Sequence, residues 1–306
     1  EKLDTQRDVV KNERRWTVDN RPYGTWWERL PALVFPTSHP FHHSLIGSMA
    51  DLDAASLEDV AQFFRTFYTP DNAVLTVAGD FEPAEARELI ERHFGAIPRG
   101  AGRPPLPVTE LPATFGEWMR ETIVDDVPLP RVMLAFRIPP FGADGWHAAS
   151  VCAAVLGLRR GSRLYRSLVR EREVASDTSA FTYDLSSGSD LLVVDVTARP
   201  GTDGGALERE VVREVDLLVS EGVRPDEVSR ALALIETDLI GSMQTAQERA
   251  DRLSLFATYF GDAARLNTEP DRYRAVTADA VSAFASRYLL PMNRATLLYE
   301  PRTPAT

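Results

Sequence analysis

Helical and strand-like patterns of apolar residues alternate along the chain. Apolar positions at a helical spacing predict helices over residues 1–20, 56–68, 83–94, 144–157, 161–172, 203–221, 225–260 and 277–288. Short runs rich in β-branched and aromatic residues predict strands over residues 73–79, 116–124, 130–138, 178–183, 190–198 and 295–299. Long helices that alternate with short strands, with the strands in antiparallel pairs, indicate the α+β class.

Two stretches of the chain have the same pattern. Each consists of an amphipathic helix, a Pro-x-Asn turn and a β-rich run, and the matched positions, each pair 220 residues apart, are Asp59 with Asp279, Phe64 with Phe284 and Tyr68 with Tyr288. The shared offset favours duplication of one α/β unit. The second copy opens with a strand at 131–138, so the first copy lacks its opening ~100 residues, which we expect upstream of residue 1.

A segment rich in proline and glycine, residues 98–112, separates the two copies. We therefore predict that residues 1–105 are the C-terminal half of a first domain, that 106–115 are a linker, and that 116–306 are a second, homologous domain. In this prediction each unit is a largely antiparallel sheet covered by helices, and the first unit is incomplete.

Composition argues against several classes of protein. The 306 residues are 44% apolar and carry a net charge of -11, which argues against disorder and against a nucleic-acid-binding surface. No apolar run is long enough to span a bilayer and no signal peptide is visible, so we expect no membrane partner and a cytoplasmic location. The lone cysteine, Cys152, lies in an apolar run, which predicts a buried, inert thiol. Lysine occurs only at Lys2 and Lys11, a bias that suggests a bacterial coding sequence rich in G and C.

The candidate chemistry lies near the start of the chain. Residues 7–15 form a charged helical segment that carries Glu13, and Pro22-Tyr23-Gly24 stops it. This segment resembles the stretch that supplies the third zinc ligand in pitrilysin- and insulysin-type inverted zincins, which are relatives of mitochondrial processing peptidase. Residues 44–49, 57–59 and 74–80 follow in the order of that family. A glutamate on a charged helix, taken alone, is usually a solvated surface residue.

The resemblance implies two pitrilysin-family α/β sandwich units and a zinc site. Glu13 would be the third metal ligand, beside two histidines, with a fourth position open to water. The histidines and the catalytic glutamate belong to an H-x-x-E-H helix that these 306 residues do not contain, so we expect it upstream of residue 1 and predict no catalytic residue in this chain. The position seven residues before the ligand is often acidic in the family, and here it is Gln6.

A second family feature is an arginine and a tyrosine, seven residues apart, that hold the substrate carbonyl. Val169 and Ser176 stand at those positions here. The resemblance therefore implies a zinc metalloendopeptidase of peptides or unfolded segments, inactive as this chain alone, that forms a homo- or heterodimer with a related subunit supplying the Arg/Tyr pair. The alternative is a non-catalytic scaffold or assembly subunit of the same fold.

The histidine cluster formed by His39, His42 and His43 is the other candidate metal site. In the family this region is a structural turn, and no further ligands stand at a suitable spacing. We therefore predict a loop that packs near the site and does not bind a metal of its own.

Overall fold

Five strands, all after residue 118, form one sheet. The structure, a computed structural model, describes residues 2–112, 114–185 and 188–302. Its strands are β1 (Met119–Asp125), β2 (Arg131–Ile138), β3 (Ala175–Tyr183), β4 (Asp190–Ala198) and β5 (Arg294–Pro301). Their order is β1-β5-β2-β4-β3, and every neighbouring pair is antiparallel except β1 with β5. The predicted α+β class, with a largely antiparallel sheet, is confirmed.

Helices make up most of the remaining regular structure. The α-helices of the described residues are α1 (Lys2–Arg14), α2 (Trp26–Val34), α3 (Met49–Ala54), α4 (Leu57–Phe67), α5 (Pro83–Phe94), α6 (Trp146–Gly157), α7 (Gly204–Glu221), α8 (Pro225–Gly241), α9 (Ala246–Phe260), α10 (Glu269–Arg274) and α11 (Ala278–Tyr288). Two segments are π-helical, Arg15–Asp19 and Tyr165–Glu171. The predicted long helix over 225–260 is divided into α8 and α9, because Thr245 and Glu248 form a capping box that starts α9.

One face of the sheet lies under a layer of helices. Val132, Leu134 and Phe136 alternate along β2 and are fully buried in a core shared with α6, α7 and α11. Helix α6 is apolar nearly all round, as expected for a helix inside a core. At its end, a Cβ on Gly157 would lie 2.0 Å from the backbone nitrogen of Ala180 on β3. Glycine at this position therefore allows the helix to lie directly against the sheet.

Helix α2, from the first forty residues, covers the opposite face of the sheet. Leu30 and Val34 of α2 are buried in one cluster with Met133 and Ala135 of β2 and with Leu297 of β5. Each large apolar side chain buried in this way contributes roughly 1.5–3 kcal/mol. Segments far apart in the chain therefore share the second core.

The strand predicted over residues 73–79 does not form, and that prediction is wrong. Among the described residues this segment pairs with no strand, and all five strands of the sheet lie between residues 119 and 301. Its side-chain hydrogen bond from Ser254 to Thr76 is not a strand contact. A strand needs a neighbour for its backbone N–H and C=O groups. Val74, Leu75 and Val77 are exposed, as are apolar side chains of α4 and α5.

Candidate functional site

Basic side chains fasten one face of α1 to the segment around α3. Arg7 donates hydrogen bonds to the carbonyl oxygens of Leu52 (2.7 Å) and Ala55 (2.8 Å). One helical turn later, Lys11 forms an ion pair with Asp53. Because these contacts join residues more than forty positions apart, they fix the orientation of α1 about its axis.

Arg14 makes the third set of contacts on the same face of α1. It donates to Glu28 Oε1 (2.6 Å) and to the carbonyl oxygen of Gly47 (2.8 Å). Burial acts to raise the pKa of Glu28, but the hydrogen bonds and charge of Arg14 outweigh it, so the pKa lies below its usual value. The glutamate therefore stays ionised and holds α1 against α2.

Glu13 lies away from the fastened face. Arg7, Lys11 and Arg14 share one side of the helix, and at roughly 100° per residue Glu13 is displaced from them by about a third of a turn. Its side chain is exposed, and so is that of Gln6, which is seven residues earlier on the same side. The helix therefore presents Glu13 to solvent from a fixed support. Its assignment as a zinc ligand stays a prediction.

The chain turns sharply after α1, as the sequence predicts. Residues Arg15–Asp19 continue it as a π-helix, a conformation often found near functional positions. Tyr23 has a φ of 61°, in the left-handed region, and its hydroxyl donates to the carbonyl oxygen of Leu129 at 2.8 Å. A Cβ on Gly24 would lie 2.2 Å from the carbonyl oxygen of Val18. This turn is therefore closely packed and fixes the path from α1 to α2.

The three clustered histidines hold a loop together. Each imidazole is hydrogen-bonded to a backbone carbonyl oxygen, His39 to Thr109 at 3.3 Å, His42 to Phe35 at 2.8 Å and His43 to Thr37 at 3.1 Å. His39 also accepts from the backbone N–H of Phe41, so its Nε2 carries the proton and donates. The packing predicted for this loop is present, and its position near the zinc site stays a prediction.

The described residues do not form a complete zinc site by themselves. Across the described ranges, no group of three or more His, Cys, Asp or Glu side chains is placed to hold a metal ion. A catalytic zinc site takes three protein ligands, and Glu13 supplies one carboxylate. We therefore assign no step through zinc to these residues.

The positions of the family's Arg/Tyr pair have structural contacts in this chain. Val169 is half-buried and packs against the main core. The Ser176 hydroxyl donates to the carbonyl oxygen of Ala198 at 2.9 Å, beside a bulge in β3. Val169 has no hydrogen-bond donor in its side chain, and the Ser176 hydroxyl already donates to Ala198.

The sequence led to predictions about the lone cysteine and about membrane-spanning segments. Cys152 is fully buried in α6, so the prediction of a buried thiol is confirmed. Burial raises the pKa of the thiol to about 12, which favours its protonated, less nucleophilic form. In the part of the chain that the structure describes, no helix has the length and apolar character needed to cross a membrane.

Arg137 is a buried arginine that the sequence reasoning missed. It is 3% exposed, on a strand whose neighbouring residues are apolar. Its guanidinium donates to the carbonyl oxygens of Val34 (2.5 Å) and Pro112 (3.1 Å) and lies over the rings of Phe35 and Phe115. A lone arginine inside an apolar strand is the sequence signal that could have identified it.

The curated proteins that are similar to this chain include a zinc protease and a subunit of a processing peptidase. The chain is 28% identical over 258 residues to the zinc protease PqqE of Helicobacter pylori, a match that covers 83% of this chain and 56% of that protein. It is 28% identical over 156 residues to the mitochondrial-processing peptidase subunit beta of Blastocladiella emersonii, covering 51% of this chain and 32% of that subunit. The chain thus spans little more than half the length of the Helicobacter relative.

Solved structures share the fold. A protease from Helicobacter pylori superposes with a TM-score of 0.88 at 23% identity and covers 98% of this chain and 72% of its own. A peptidase M16 inactive domain from Pseudomonas fluorescens superposes with a TM-score of 0.82 at 17% identity. That match covers 100% of this chain and 72% of the other chain. The family model described as the peptidase M16 inactive domain matches residues 54–235. Because this match extends over more than half of the chain, the chain belongs to the peptidase M16 inactive-domain family.

Proposed function

We propose that the chain is part of a zinc metalloendopeptidase that hydrolyses peptides or unfolded segments, with Glu13 as its third zinc ligand. The observation that carries this proposal is the exposed Glu13 carboxylate on a helix fastened by Arg7, Lys11 and Arg14. The names of the relatives, a zinc protease and a processing-peptidase subunit, support the class of activity.

The role of these residues in that protein is to position one ligand. A ligand on a fixed helix can meet the other ligands without a loss of conformational freedom, which favours tight metal binding. The two histidines and the general base would come from an H-x-x-E-H helix outside these 306 residues. In this proposal the second half of the chain forms a wall that confines the substrate.

The Arg/Tyr pair would come from a related subunit in a dimer. Val169 packs against the core and Ser176 forms hydrogen bonds within the sheet, so both positions have structural roles. These roles support the proposal that another subunit supplies the pair. The same observation favours a second candidate function, in which the parent protein is a scaffold or assembly subunit without a working site.

Zinc content and peptide cleavage, measured on the intact protein that contains this chain, separate the two candidates. We expect about one zinc per chain and metal-dependent cleavage of an unfolded peptide. In Glu13→Gln, zinc and cleavage should both fall to near zero. Asp8→Asn is the matched control, because Asp8 is another exposed acid of α1.

Two results would contradict the peptidase proposal. One is a Glu13→Gln protein that keeps its full zinc content. The other is an intact protein, with its mass verified, that binds no zinc and cleaves no peptide. The second result would support the scaffold.

A further inference from the structure

Arg137 differs from Arg163 and Arg131, two other sheltered arginines, in its lack of a counterion among the described residues. Arg163 donates to both carboxylate oxygens of Glu227, at 2.8 and 2.7 Å, and Arg131 is paired in the same way with Asp195. Arg137 is more buried than either. Within the described residues, however, no carboxylate lies within the 4.0 Å of an ion pair from its guanidinium.

The groups that surround Arg137 satisfy only part of its guanidinium. An arginine has five N–H donors, and two carbonyl oxygens, those of Val34 and Pro112, accept from it. Its Nε is buried without a hydrogen-bond partner among the described residues. Carbonyl dipoles and aromatic rings offer partial charges, whereas a buried cation is best compensated by a full negative charge.

The same arginine lines a cavity of about 420 Å³ between the end of α2, the segment before β1, and β2. Its walls are mainly apolar and include Ala32, Leu33, Phe35, Leu111, Phe115 and Met119. A volume of this size accommodates a small ligand or the terminal residue of a peptide. The cavity thus combines an uncompensated cation with apolar walls.

We propose that this cavity binds a carboxylate that carries an apolar group, with Arg137 as the cation that holds it. A guanidinium has the planar, forked geometry that matches a carboxylate, and both ions are stabilised when they pair away from water. The apolar walls would bury the group attached to the carboxylate. The C-terminal residue of a peptide that ends in leucine and a free N-acylated amino acid both have this chemistry.

Glu117 is the one carboxylate among the described residues that line the cavity. Its side chain is exposed and forms no ion pair with Arg137 across the described ranges. It would repel a second carboxylate in the same cavity. Replacing it with glutamine should therefore strengthen ligand binding.

Titration calorimetry on the intact protein that contains this chain, with any metal removed by a chelator, tests the site. The probes are N-acetyl-leucine and a hexapeptide ending in leucine, each as the free acid and as the amide. We expect the acids to bind and the amides to bind about tenfold or more weakly, because the amide has no charge to pair with the guanidinium. The small and the peptide acid distinguish the two sources of ligand.

Three variants and a control locate the binding. Arg137→Lys keeps the positive charge but loses the forked N–H donors of the guanidinium. Ala32→Phe leaves Arg137 in place and fills the cavity from the half-buried position 32. Both should weaken binding of the acids about tenfold, and Glu117→Gln should strengthen it. Arg209→Met removes an exposed arginine from α7 and should change nothing.

Several outcomes would overturn the proposal. These are the absence of heat from either acid at millimolar concentration, equal binding of acid and amide, and unchanged affinity in a correctly folded Ala32→Phe protein. A large loss of stability in Glu117→Gln would also overturn it, because Glu117 would then be the counterion of Arg137. The inference is independent of zinc and of Glu13, so its failure leaves the proposed peptidase function untouched.

Discussion

Phe64 and Phe284 occupy matching positions in the two copies of the helix–turn repeat, but their environments are opposite. Phe284 is 4% exposed and lies in the main core, whereas Phe64 is 51% exposed. Tyr288 and Tyr68 differ in the same way. The two copies therefore place the same aromatic residues in contact with protein in one case and with solvent in the other.

The local structure of the two copies is nevertheless alike. In both, a 3₁₀ turn with the sequence Pro-x-Asn follows the helix. The asparagine side chain donates to a carbonyl oxygen at the helix end, Asn72 to Phe67 at 2.9 Å and Asn293 to Tyr288 at 2.7 Å. Short-range signals are therefore sufficient for the helix and the turn, whereas burial depends on a sheet that only the second copy has among the described residues.

Truncating the matched phenylalanines tests this difference most strongly. Phe284→Ala should lower the free energy of unfolding by about 4 kcal/mol, because it leaves a cavity in the core. Phe64→Ala should change it by less than about 0.5 kcal/mol, because the side chain is already in water. Urea unfolding followed by tryptophan fluorescence, to which buried Trp146 contributes, measures both. Equal losses would mean that Phe64 is buried in solution.

The buried ion pair of the second half gives a pH-dependent test. Burial acts to raise the pKa of Glu227, but the hydrogen bonds and charges of Arg163 and Arg224 outweigh it and lower the pKa. The pair therefore stabilises the fold above the ordinary glutamate pKa, and this stability is lost as the pH falls through the lower, folded value. Glu227→Gln should cost about 3 kcal/mol at pH 7, because it leaves Arg163 buried without a counterion.

The cost of Glu227→Gln should shrink as the pH falls below the ordinary glutamate range. Glu28→Gln, which breaks the more exposed pair with Arg14, is the matched change in the first half and should cost about 1 kcal/mol or less. Unfolding curves at several pH values check both. A cost for Glu227→Gln that does not vary with pH would contradict the ion-pair explanation.

The helix caps provide the smallest test. Thr277 caps α11 and Ser56 caps α4, each by accepting a hydrogen bond from a backbone N–H. Thr277→Ala should cost about 1 kcal/mol of global stability. Ser56→Ala should act locally, as faster amide exchange in α4, with little change in the main unfolding transition. A global loss of the same size from Ser56→Ala would show that the two regions unfold together.

Much of the fold could be predicted from periodic patterns. The strands around β2 and β4 and the repeated helices have strong local signals, and each lies close to its predicted place. The strand over 73–79 was predicted wrongly because its residue types suit a sheet, but the neighbour it needs is not among the described residues. Helix α2 was not predicted, since Pro31 interrupts its pattern and its burial comes from distant strands.

Less of the candidate site could be predicted. The position of Glu13 on a helix, followed by a sharp turn, was readable from the charge pattern and the turn residues. The fastening of α1 was not, because it joins Arg7 to Leu52 and Arg14 to Glu28 across long separations. Arg137 was missed for a similar reason. Its significance lies in having no carboxylate at ion-pair distance among the described residues, and only the packed structure reveals that.

The strand order also sets a sequence of events during synthesis of the protein. β5 lies between β1 and β2, yet it is the last of the five strands to leave the ribosome. β1 therefore has no neighbour in the sheet until residues 294–301 emerge, and α2, made long before, has only part of the face that it covers. Contacts between distant segments close slowly and expose apolar surface meanwhile. The nascent chain consequently needs β5 to bring β1 into the sheet and to complete the face that α2 covers.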